Sequence, residues 1–136
     1  MAMIPLTILP LILYNIVAFF AAGSLPPDPW SAELFAATMV SGARFAFSLG
    51  DLMLVIGIVV LFFEIFRATR FTTPSIVNHM VSTLVLVIFA IEFVLVPQAA
   101  HPVFLILGVT ALFDVLAGFI ISIRSARRDI ALESPN

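Results

Sequence analysis

Four long apolar runs, divided by short polar or proline-bearing breaks, set the pattern of this chain: IPLTILPLILYNIVAFFAA (4–22), FAFSLGDLMLVIGIVVLFFEIF (45–66), SIVNHMVSTLVLVIFAIEFVLV (75–96) and VFLILGVTALFDVLAGFIISI (103–123). Each is close to the ~20 residues an α-helix needs to cross a ~30 Å hydrocarbon core. Strands of an outer-membrane barrel would be about 10 residues long and would alternate polar with apolar. These runs do neither. A backbone in lipid must satisfy its hydrogen bonds internally. The pattern therefore predicts an all-α protein: one transmembrane domain over 1–136, built as an integral membrane four-helix bundle. The first run has no Lys or Arg at its start and contains Pro5 and Pro10. It reads as a span kinked or started late by its prolines rather than as a signal peptide.

The polar interruptions within the runs recur at helical spacing. Gly50, Gly57 and Glu64 form one stripe, and Asn78, Val85 and Glu92 another. Thr110, Asp114, Ala117, Gly118 and Ile121 share a face of the fourth run. Small or polar residues repeating every seven positions suit close, left-handed helix packing. This pattern predicts that the acids sit at helix–helix contacts, not against lipid. The connection GSLPPDPWSAELFAATMVSGAR opens with a proline-rich turn, where Asp28 and Pro29 fit an N-cap and first helical position. Trp30, Leu34 and Ala37 fall on one helical face. The expectation is a short helix on the outer face, with Trp30 in the headgroup layer.

Composition strengthens the membrane reading. The chain is 62% hydrophobic and 10% charged, against roughly 45–50% and about 25% in soluble domains. A soluble domain of this length could not hide so much apolar surface. Charge then orients the bundle. All six basic residues are Arg. Arg67 and Arg70 lie between runs two and three, and Arg124, Arg127 and Arg128 follow run four, whereas Arg44 alone lies on the other side. By the positive-inside rule, the second connection, the C-terminus and, with four spans, the N-terminus are cytoplasmic.

Depth sorts the ionisable groups into layers. The outer layer holds Asp51 and Glu92, with Arg44 and Ser48 on the Asp51 face. Asp114 is central, with Asn15, Tyr14 or a neighbouring chain as its partner. The inner layer holds Glu64, His79, Asn78 and Arg67. A charge at mid-span costs about 2.5–3.5 kcal/mol on insertion scales, so such groups face the interior and find partners. Glu64 has two readings: an ion pair with Arg67 one turn on, or a pair with His79 across neighbouring helices. Asp51 with Glu92 reads either as a cluster neutralised by Arg44 or as a proton-sharing carboxyl pair or cation site. Asp114 is the best candidate for a transport or relay residue.

Several chemistries are set aside. The absence of cysteine removes disulfides and thiolate metal sites. No Glu-x-x-His pair suggests a di-iron bundle. His79 and His101 fall at opposite ends and cannot share a haem. A pigment or haem on His79 alone, or a quinone near His101, has no further support. No phosphate-binding glycine loop, nucleophile–base set or nucleic-acid surface is present. The expectation is a protein without cofactor, metal or enzymatic activity.

The segments LYNIVAF, SLGDLMLVIGIVVLFFEIFRATR, SIVNHMVSTLV, IEFVLV and FDVLAGFIISIRSARRDI resemble a family of small bacterial inner-membrane proteins with four predicted spans. The resemblance covers nearly the whole chain apart from the outer connection. It implies the fold and a bacterial inner-membrane location, and carries no activity with it. Small multidrug transporters share the size but have a key glutamate in helix 1 that is missing here. Fluoride channels use glycine- and asparagine-rich motifs that are also missing. Two functional expectations follow. The first is an accessory subunit or assembly factor of a larger membrane complex, bound to lipid and to other subunits. The alternative is a homo-oligomeric proton or cation pathway.

Overall fold

The computed structural model describes residues 4–21, 27–70 and 76–133. Along the chain lie α1 (Ile8–Phe20), a 3-10 turn (Pro29–Ser31), strands β1 (Glu33–Thr38) and β2 (Arg44–Ser48), α2 (Leu49–Arg70), α3 (Ile76–Leu95), a second 3-10 turn (Pro97–Ala99) and α4 (Pro102–Glu133). The described residues are mostly helical. Leu49–Arg70, Val77–Leu95 and Pro102–Arg128 are long and apolar enough to cross a membrane. Helix α1 has 13 residues, or about 20 Å at 1.5 Å per residue. It is shorter than the run 4–22 because the segment around Pro5 is not helical and the helix begins after Thr7. Helix α4 outruns its apolar stretch and continues as one helix to Glu133. The residues beyond position 123 include good helix formers and no proline before position 135.

The first connection departs from the all-α expectation. It holds an antiparallel hairpin, with Phe35 opposite Phe47 and Ala37 opposite Phe45. The tip is a turn in which Gly42 N–H donates to the Met39 carbonyl and Met39 N–H to that of Ala43. Gly42 has φ +84°, a left-handed conformation that costs other residues roughly 1–2 kcal/mol. A type I turn closed by such a glycine is a standard hairpin connection. Ring contacts Phe35–Phe47 and Phe35–Phe45 add cross-strand attraction. The apparent helical spacing of Leu34 and Ala37 lost to the turn at Ser41–Gly42 and the alternation Phe45–Ala46–Phe47. Only the 3-10 turn at Pro29 is helical in the described part of this connection. There Asp28 caps as expected, accepting from Trp30 N–H at 3.1 Å. Trp30 itself is buried, 4% exposed, rather than at the lipid surface.

Ser48 ends β2 and caps α2. Its hydroxyl accepts from Asp51 N–H, and the Asp51 carboxylate accepts from Ser48 N–H and Oγ. This reciprocal capping box satisfies donors that a helix start leaves free. At the other junction, His101 Nδ1 accepts from Val103 N–H, and Pro102 takes the first position of α4.

Contacts across the bundle give the helix directions. A Cβ on Gly50 would press on Val103, and one on Gly57 on Leu107, so α2 and α4 run parallel. Gly108 faces Phe89 and Gly118 faces His79, so α3 is antiparallel to both. Helix α1 has its foot at Glu64, through Leu6, and its upper part at Gln98, through Tyr14. It is therefore antiparallel to α2. The buried stripe of α2 is Gly50, Met53, Gly57, Val60 and Glu64. At the hairpin end Trp30 stacks on Tyr14 at 4.3 Å, and Tyr14, Phe104 and Phe89 continue the column inward. Leu107, fully buried, fills the middle. Between the polar ends of α2, α3 and α4, the outward-facing positions are mostly Leu, Ile, Val and Phe, with Met80 and Thr83 among them. Such a continuous apolar exterior matches hydrocarbon as solvent, not water.

Candidate functional site

Most of the buried polar groups of the described residues lie toward the end opposite the hairpin, while Thr110 sits mid-bundle on the Leu107 carbonyl. Thr7, Glu64, Ser82, Thr110 and Asp114 are all buried. Glu64, 2% exposed, lies at the foot of the α2 stripe. Its Oε1 accepts from Arg67 at 2.7 Å and from Asn78 Nδ2 at 3.4 Å, and its Oε2 from Leu6 N–H at 2.9 Å. Arg67 also donates to the Ile4 carbonyl. Asp114 accepts from the Thr7 hydroxyl at 3.2 Å, and the buried Ser82 lies beside it. Three groups thus hold the non-helical segment 4–7: Glu64 on a backbone N–H, Arg67 on a carbonyl and Asp114 on a hydroxyl. The arrangement staples the foot of α1 under the bundle. One atom of the cluster, Asn78 Oδ1, is buried with no partner among the described residues.

The sequence-predicted layers rearrange. Glu64, Arg67 and Asn78 come together. His79 does not join them: its Nε2 meets Ser122 Oγ at 2.7 Å, and its ring stacks on Phe119 against Gly118. Adjacent helical residues point about 100° apart. With Asn78 turned to α2, His79 must face α4. Asp114 is bonded to Thr7, not to Asn15 or Tyr14. Asn15 lies two turns further up α1 and donates to Glu92 at 2.9 Å. Tyr14 OH donates to the Gln98 carbonyl.

The outer layer is not a cluster. Arg44 pairs with Glu33 at 2.8 Å on the exposed hairpin. Asp51 is exposed and spent on capping. Glu92 is half-buried with Asn15. The expected face Arg44–Ser48–Asp51 required a helix through 44–48, and a strand there breaks the spacing. Both nitrogens of His101 are engaged: Nδ1 caps α4, and Nε2 lies 3.5 Å from Asp28 Oδ2, tying the first connection to the start of α4.

Thr7, Ser82, Ser122 and the Leu6 N–H were missed. Ser82 was legible, one turn beyond Asn78 on the same stripe. Thr7 was not, since its position depends on where α1 starts. Among the described residues no group of three His, Asp or Glu side chains converges as metal ligands. What the site can do is hold protons and fix α1. No family model, curated protein or solved structure matches the chain.

Proposed function

We propose that this is a non-catalytic, multi-pass protein of a bacterial inner membrane, acting as an accessory subunit or assembly factor of a larger membrane complex. The observation that carries the reading is the hairpin. Phe35 and Phe45 are exposed, and so are Leu34, Met39 and Val40 at and near the tip. A two-stranded hairpin alone in water is marginal, and an exposed aromatic face marks an interaction surface. Its place on the outer side, with both termini cytoplasmic, follows from the arginine distribution. Four crossings are supported by the reach of α1 from the Glu64 level to the Gln98 level.

A photo-crosslinker at Phe45, activated in native membranes before gentle extraction, tests this. The expected product is one discrete adduct with another membrane protein that co-purifies in fixed proportion. Adducts with lipid alone, or with a second copy alone, would defeat the reading.

The second reading, a homo-oligomeric proton or cation pathway, keeps one supporting observation: Asp114 and Glu64 are both buried and bond adjacent residues, Thr7 and Leu6. Against it stands the apolar filling by Leu107, Phe104 and Phe89 between these acids and the hairpin end. Asp114→Asn in proteoliposomes discriminates. A pathway loses flux, whereas an accessory subunit has no flux to lose and changes only in thermal stability.

A further inference from the structure

We propose that the turn Arg124–Arg128 of α4 is a binding surface for the phosphate of an anionic phospholipid headgroup. Three positive charges fall within five residues, at positions 124, 127 and 128. On a helix this i, i+3, i+4 spacing places them on one face. All three side chains are exposed, and the helix runs unbroken through them.

The face they share is set by what precedes it. Leu116, Ile120 and Ile123 are exposed and belong to the apolar exterior. Steps of three or four residues lead from them onto Arg124 and Arg127. The stripe that meets lipid tails therefore turns basic where α4 leaves the apolar layer, at the depth of headgroups. Arg70 joins the same level. Gly57 packs against Leu107 and Thr110, so the parallel helices bring Arg70 level with the stretch around Ile120–Arg124. Arg70 is exposed and lies over the Phe66 ring.

Charge alone would be served equally by lysine, and the positive-inside rule does not distinguish the two. This chain has no lysine. Guanidinium offers a planar fork matched to phosphate oxygens, with weaker hydration than an ammonium. Arg67 and Arg44 are already bound to Glu64 and Glu33, so the assignment rests on the α4 turn. It is independent of the accessory-subunit reading, because it concerns the opposite end of the molecule from the hairpin.

Native mass spectrometry of the full chain tests it, with phosphatidylglycerol and phosphatidylcholine of identical acyl chains offered together. The wild type is expected to retain phosphatidylglycerol in preference. The variant R124Q/R127Q/R128Q should lose that preference by roughly fivefold per arginine removed, with thermal stability in phosphatidylcholine unchanged. R44Q, at the other end, should leave it intact. The proposal is overturned if the triple variant retains phosphatidylglycerol like the wild type, or if R44Q loses as much. It is also overturned if inorganic phosphate displaces the lipid at equal concentration. Displacement of the lipid by a co-purifying acidic protein on the same arginines would reassign the surface to that protein.

Discussion

The shortest hydrogen bond on Glu64 should be the one that matters least to the fold. Glu64 accepts from Arg67 at 2.7 Å, from Leu6 N–H at 2.9 Å and from Asn78 at 3.4 Å. Arg67 is three residues along the same helix. In a membrane or micelle α2 stays helical when the bundle comes apart, so that pair survives in the dissociated state. It contributes what a helical i, i+3 pair contributes, about 0.2–0.5 kcal/mol. The bonds from Leu6 and Asn78 join different elements and are lost on dissociation. Interhelical hydrogen bonds in membrane proteins average about 0.6 kcal/mol and reach about 1.7 kcal/mol. Two of them make Glu64 worth on the order of 1–3 kcal/mol to assembly, nearly all from the longer bonds.

Two double-mutant cycles measure this, by SDS titration in mixed micelles. One cycle pairs Glu64→Ala with Asn78→Ala, the other with Arg67→Ala, so that each single change removes the bond being measured. The Asn78 cycle should give a coupling of about 0.6 kcal/mol or more, and the Arg67 cycle about 0.5 kcal/mol or less. The separate bond from Arg67 to the Ile4 carbonyl cancels within its cycle. An Arg67 coupling above about 1.5 kcal/mol, with none to Asn78, would refute the argument. It would mean that the ion pair forms only in the assembled bundle.

Other perturbations follow from the same geometry. Gly118→Ala would place a methyl group inside the His79 ring, so it should destabilise by about 1–3 kcal/mol; the second change His79→Ala should restore much of that loss in the same micelle assay. Ser48→Ala removes the hydroxyl half of the α2 capping box while the Asp51 carboxylate keeps the backbone N–H at position 48; it should cost about 1 kcal/mol, leaving the α4 lipid preference unchanged in mass spectrometry. Gly42→Val forces a β-branched residue into φ +84°, and should weaken the Phe45 photo-adduct while the bundle's unfolding midpoint stays put.

How much of this was legible in the sequence depends on what decides each feature. The helices α2, α3 and α4 were legible because lipid leaves the backbone one solution within a span, and 20 apolar residues announce it. The buried stripe of α2 was legible for a related reason: Gly50, Gly57 and Glu64 differ from their surroundings, and a helix that must bury something buries what lipid would reject. Partner choice was not legible, because it depends on rotation and axial offset, which no single run encodes. Placing Asn78 toward Glu64 commits His79 to α4, and reading 78 and 79 as equivalent inner-layer residues hides that exclusion. Starting α1 at Ile8 instead of Ile4 puts Thr7, not Asn15, at the depth of Asp114. A strand in place of a helix through 44–48 sends Arg44 to Glu33 and leaves Asp51 to cap.

The two carboxylates of α2 then differ for a physical reason. The helix start needs an acceptor for its free N–H groups, which Asp51 supplies in the open with Ser48. At the far end the bundle needs an acceptor for the Leu6 N–H, which lies ahead of the first turn of α1, and Glu64 supplies that from inside. Depth alone would have made both acids candidates for chemistry; the unsatisfied backbone beside each shows what consumes them. Asp114 differs because its partner is a hydroxyl, which can turn away and satisfy itself elsewhere at little cost. Its release would free one of the three ties on segment 4–7 and leave Glu64 and Arg67 holding the backbone there.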